Sequence, residues 1–184
     1  MFSWVMIAVS ICVAYVLLHA WPYIWAFASR DRITRITRLC DVGYRLQDRS
    51  PKRAVELFKI AFGLLWEPEE APNREMRRLG SDVAAAYSLT IGKVNCLNPF
   101  SGVFARNAVL RDDTNPFAYE VLGISLAWLD NNESAARDAF NTGLETARTS
   151  DPPDVEAGSR ILGQISWLDT HAVNIRAMHD ELQR

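Results

Sequence analysis

AVELFKIA at residues 54–61 and AARDAFNTGL at 135–144 carry one register: a small residue, a phenylalanine four positions on, and a second small residue three positions later. In the first copy these are Ala54, Phe58 and Ala61; in the second, Ala136, Phe140 and Gly143. Positions spaced by four and three share one face of a helix. Each stretch therefore presents a ring flanked by two notches. Upstream of each lies an apolar–glycine pair, Val42-Gly43 and Leu122-Gly123. Glycine and alanine let the two helices of a hairpin approach closely, while the phenylalanine wedges between neighbouring hairpins.

Outward from these two stretches the pattern is helical, and no Val/Ile/Thr-rich alternation reads as a strand. A helix over about 31–48 places Ile33, Ile36, Leu39, Val42 and Leu46 on one stripe. Ser50 can cap a second helix, 51–65, with Pro51 in its first turn, where a missing N–H costs nothing. The acidic, proline-containing WEPEEAPN at 66–73 is a loop. Helices over 74–92 and 101–111 follow, separated by a break at Asn98-Pro99. Asn115-Pro116 starts a helix running to about Asp130, and Asn132 caps one over 133–148. Asp151-Pro152 starts another to about Asp169, and Thr170 can cap a last one. The expectation is eight helices in antiparallel pairs.

This arrangement resembles the tetratricopeptide repeat family, whose helix pairs stack into a superhelix with a concave binding face. The likeness covers residues 36–65 and 116–149 well and 74–114 loosely, through Ile91-Gly92 and Ala105. Ala54 and Ala136 lie 82 positions apart, more than two regular periods, which implies an insertion-bearing middle repeat. By the resemblance, Tyr44 and Gln47 on the first helix point into the concave face, as do Phe117, Glu120 and Ile124 on the fifth. That face is the expected partner-binding site, open to a peptide or filled by the amphipathic segment 170–184 (Val173, Met178, Leu182).

The first twenty-nine residues contain no Asp, Glu, Lys or Arg. Roughly 20 apolar residues in a helix cross a ~30 Å hydrocarbon layer, and the run from Phe2 to Ala28 exceeds that. Ala26-Phe27-Ala28 also resembles a cleavage site, but the run lacks a preceding positive charge and is longer than an export-signal core. Residues 30–53 then hold eight basic side chains against three acidic ones. Basic residues stay on the cytoplasmic side, so the expectation is a single-pass protein with its N-terminus outside and its C-terminal body cytoplasmic, in a bacterial inner membrane. Trp4, Trp21, Tyr23 and Trp25 suit the interfacial belts, with Arg30, Arg32, Arg35 and Arg38 beside the headgroups. The expected fold class is all-α: a transmembrane helix over 1–29 followed by a tetratricopeptide-like α-hairpin array over 30–184. Within the array, 30–65 and 115–149 are repeats, 74–114 is a diverged repeat and 151–184 is a terminal helix pair.

Residues 54–184 carry 12 basic and 19 acidic groups, which argues against nucleic acid as a partner. Cys12, Cys40 and Cys96 have no paired spacing and suit free thiols. His19, inside the apolar run, is a candidate ligand for a chlorophyll-type pigment or haem. Its surroundings, LLHAWPYIW, resemble the His-plus-Trp stretch of single-helix bacterial antenna polypeptides. The alternative is a histidine that packs against a neighbouring helix or reaches the headgroups. His171 and His179 are eight apart, whereas helical metal pairs are commonly four apart. No nucleophile elbow, phosphate loop or Cys–His arrangement occurs. The expectation is a non-catalytic accessory or scaffold subunit, with other membrane-protein subunits and the bilayer as partners and no small-molecule substrate. The alternative is a tethered adaptor or assembly factor that binds soluble clients.

Overall fold

The computed structural model describes residues 31–71 and 73–182, with side chains described as far as His171. The described residues form seven α-helices and no strand, an all-α fold. The helices are α1 (Arg32–Leu46), α2 (Pro51–Gly63), α3 (Arg74–Val94), α4 (Pro99–Arg111), α5 (Pro116–Trp128), α6 (Glu133–Thr149) and α7 (Val155–Leu182), with a 3-10 turn at Pro68–Glu70.

The helix starts follow from short side chains that accept orphan N–H groups. Asp31 accepts from Thr34 N at 2.7 Å and Asn73 from Met76 N at 2.9 Å. Asn98 and Asn115, each followed by a proline, accept from Phe100 N and Phe117 N at 3.0 Å. Asn132 accepts from Ala135 N at 3.0 Å, and Asp154 from Ala157 N at 2.9 Å. Ser50 stands at the cap position of α2 but makes no side-chain capping bond there, so Pro51 alone sets that first turn.

The expected terminal pair is a single helix. α7 begins at Val155 and runs unbroken to Leu182. Thr170 does not cap: its hydroxyl donates back to Ser166 O at 2.9 Å, a bond made inside a continuing helix. Of the docking segment, Val173, Met178 and Leu182 have side chains outside the described set.

Each helix packs on its neighbours in sequence, and α3 also packs on α5, and α5 on α7. Helices α3, α5 and α7 thus form one layer, to which the loop after α1 is tied by Gln47 Nε2 on Thr90 Oγ1 (3.0 Å) and Lys93 Nζ on Asp48 (2.7 Å). Three loops of four residues, 47–50, 95–98 and 129–132, close the hairpins α1/α2, α3/α4 and α5/α6.

The two phenylalanines of the sequence register anchor the outer hairpins. Phe58 is fully buried, and a Cβ on Gly43 would stand 2.8 Å from its Cζ. Phe140 is 2 % exposed, and a Cβ on Gly123 would stand 2.6 Å from its Cδ1. Burying such a ring contributes about 1.5–3 kcal/mol, and only glycine leaves room for it here. The middle hairpin does without a ring at this place: Ala84, Ala85, Ala105 and Ala108 pack together, and Ser88 bonds Ser101 O at 2.7 Å. The extra chain length between the two copies lies in the linker 64–73 and in α3, which is 21 residues long.

The single-pass membrane placement is corrected. Among the described residues, no helix is long and apolar enough to cross a membrane. The expected anchor, 1–29, with Trp4, Trp21, Tyr23, Trp25 and the candidate ligand His19, lies outside the described residues, as does Arg30. The inside–outside orientation built on that anchor is withdrawn with it. Arg32, expected at lipid headgroups, is engaged within the fold: it donates to Leu64 O at 2.5 Å and Leu65 O at 2.8 Å, and its guanidinium lies 4.2 Å from the Trp66 ring centroid. Arg35 and Arg38 are half-buried on α1. Arg111, at the end of α4, holds the same linker from the other side through Trp66 O at 2.6 Å.

The glycine contacts give a paired prediction. Gly123→Ala forces the Phe140 ring to move and costs about 1–3 kcal/mol. Gly163→Ala, at an exposed site with nothing within 4 Å, gains up to about 1 kcal/mol of helix propensity. Denaturant midpoints of the two variants move in opposite directions if the packing is as described.

Candidate partner-binding face

The five residues expected to meet a partner lie on α1, at its end and on α5, and the fold divides them into separate settings. Tyr44, on the outward side of α1, is 44 % exposed, and its ring meets Phe58 edge-on with centroids 5.3 Å apart. Loss of solvation pushes its phenol well above the ordinary range, with Cys40, Asp82 and Asp41 adding to the effect. The side chain is thus open to water on one side and backed by the Phe58 ring on the other. Cys40, one turn earlier, is buried, and its thiol is pushed up to about 12, first by burial and then by Asp41 and Asp82. It stays protonated at neutral pH and is a poor nucleophile.

Asp82 of α3 lies close enough to act electrostatically on both Cys40 and Tyr44. Its carboxyl is raised above its ordinary value, chiefly by desolvation, against the opposing pull of Arg78 and a hydrogen bond from Asn115. Asn115 is wholly buried and donates through Nδ2 to Asp82 Oδ1 and to Ser81 Oγ, each at 2.8 Å. Ser81 Oγ in turn donates to Ala108 O at 2.8 Å. One asparagine therefore caps α5 and fixes the carboxylate on α3. The cap was legible in the sequence; the carboxylate, a lone acid beside an alanine run (SDVAAAYS), was overlooked, although its isolation among small residues was a signal.

Gln47 sits at the end of α1 with its amide on Thr90, which is fully buried and itself donates to Ala86 O at 2.6 Å. It ties α1 to α3. Phe117 and Glu120 are brought together on α5 beneath Arg160 of α7, whose guanidinium lies 5.9 Å from the Phe117 centroid. Arg160 Nε donates to Glu120 Oε2 at 3.1 Å, and its NH1 to Glu156 at 3.1 Å. Glu120 is 5 % exposed, so it meets α7 rather than solvent. Ile124 lies one turn further on, on the wall of an apolar cavity. Arg160 could not be found from sequence, because its partner is forty positions away.

Trp128, Trp167 and His171 form a stack, with successive centroids 5.5 and 5.1 Å apart. His171 Nδ1 lies 2.9 Å from Trp167 O. Among the described residues, no group of three or more His, Cys, Asp or Glu side chains is placed to hold a metal ion. The chain matches no family model, no curated protein and no solved structure.

Burial is the largest influence on Glu120 and holds its carboxyl above the ordinary 4.5, with Arg160 opposing it. A carboxyl raised in the folded state contributes stability that is complete below 4.5 and is lost as the pH rises through the folded value. Glu120→Gln cannot ionise, so its denaturant midpoint should gain on the parent's as the pH rises from 4.5. A gain by the parent instead would mean that the Arg160 pairing outweighs burial.

Proposed function

We propose that the chain is a non-catalytic scaffold or accessory subunit, a tetratricopeptide-like array whose recess between α1 and α3 grips a segment of a protein partner. The observation that carries this reading is Tyr44, an aromatic ring 44 % exposed and held edge-on against the buried Phe58. Aromatic residues in such settings commonly carry much of the binding energy of an interface. The packing of α3 on α5 and of α5 on α7 supports the array, as does the recurrence of the ring-and-glycine contact at Phe58/Gly43 and Phe140/Gly123. Asp82 and Asp41 beside Tyr44 favour a segment that offers an apolar side chain next to a Lys or Arg.

A second reading rests on α4. Phe100, Val103 and Leu110 are 62 %, 55 % and 76 % exposed and lie at helical spacing on one outer face. An apolar stripe of this kind suits a lasting helix-to-helix contact inside an assembly, with no role for the recess.

A photo-crosslinking amino acid placed at Tyr44 or at Leu110 of the full chain in its host separates the two. The recess reading expects a protein adduct from position 44, and Tyr44→Ala should weaken that partner about tenfold, roughly 1.4 kcal/mol. Adducts from position 110 alone would overturn it in favour of the stripe.

A further inference from the structure

A cavity of about 250 Å³ lies where the end of α3, the start of α4 and the second half of α5 meet, apart from the Tyr44 recess. Leu89, Ile124, Trp128 and Leu129 form its walls, and all four are only half-buried. Each also packs on a neighbour elsewhere, Leu89, Ile124 and Trp128 on the buried core and Leu129 on Gly102, so the walls are held in place around the void. Small-molecule sites are mostly apolar hollows of about 300–1,000 Å³ with a few polar groups that fix orientation. This cavity falls just below that range, enough for one ring or a medium-length alkyl chain.

Three polar residues, Ser101, Ser125 and Lys93, stand on the wall, with the thiol-bearing Cys96 beside them. Ser125 is 6 % exposed, and its hydroxyl makes no hydrogen bond among the described residues. The hydroxyl is not sealed from solvent, and it borders an otherwise apolar space where a ligand atom could meet it. Ser101, by contrast, is satisfied, donating to Ser88 O at 3.0 Å. Lys93, whose side chain is 39 % exposed, contributes an ammonium steadied by Asp48 at 2.7 Å. An occupant matched to this set has an apolar body, an atom that accepts a hydrogen bond from Ser125, and a negative end for Lys93.

The geometry points to a binding site for a small amphipathic acid, a medium-chain aliphatic carboxylate or an arylalkyl carboxylate, whose apolar body fills the cavity and whose carboxylate meets Ser125 and Lys93. The site is independent of the proposed protein contact at Tyr44, and it asks for no chemical change in the ligand.

Decanoate and decanol, titrated calorimetrically below their aggregation limits into the full chain, test it. Decanoate should bind saturably, one per chain, and more tightly than the uncharged alcohol. Lys93→Met, which keeps the alkyl stem, should weaken decanoate about tenfold and leave decanol within twofold. Ser125→Ala should weaken both, and Asp48→Asn, which frees the ammonium, should tighten decanoate. Quenching of tryptophan fluorescence by decanoate should disappear in Trp128→Phe, which locates the ligand whatever the affinity. Absence of saturable binding overturns the proposal. So does decanoate binding that is indifferent to both Lys93→Met and Ser125→Ala, or quenching that survives Trp128→Phe.

Discussion

The close approach of a phenylalanine ring to a glycine on the facing helix is the constraint on which this architecture depends. Phe58 on Gly43 and Phe140 on Gly123 fix how near the two helices of each outer hairpin lie and where along their length they cross. Protein interiors are close-packed and respond to a single added methylene. A hairpin set by such a contact cannot slide without opening a void or forcing a clash. Helices α3 and α7 then dock on faces whose spacing is already settled, and the layer of α3, α5 and α7 follows.

The helix starts at Asn115 and Asn132 were legible because they are local, an asparagine placed before a proline or an apolar run acting within one turn of itself, whereas α7 starts past the expected Asp151-Pro152, on Asp154. The all-α class and the hairpin register were legible for the same reason, since Ala54/Phe58/Ala61 and Ala136/Phe140/Gly143 repeat a spacing only a helix uses. The split of α7 at Thr170 failed because a threonine hydroxyl can serve as a cap or bond back within a helix, and only the continuing chain decides. The partnerships of the candidate site residues were not legible. Glu120 was read as facing a groove, and it lies against Arg160, a contact that depends on where α7 packs.

The arginines make the same point about charge. A basic cluster at 30–53 reads as an electrostatic patch, yet Arg32 is taken up by carbonyls of the 64–73 linker and by Trp66. Arg111, 8 % exposed, closes on that linker from α4. A ten-residue connection outside the helices needs its carbonyls answered, and a guanidinium, with several donors in a fixed fork, answers them economically. Here charge serves the backbone.

The seam of Ala84, Ala85, Ala105 and Ala108, with Ser88 on Ser101, sits between the two ring-wedged hairpins. Alanine has no rotamers to lose, so ordering this seam carries almost no side-chain entropy penalty, whereas each long apolar side chain gives up a measurable share. Along this seam the molecule is therefore held by thrift in conformational freedom, while the flanks, and the Phe62, Tyr87 and Phe104 rings beside the seam, hold by the mass of hydrocarbon they bury.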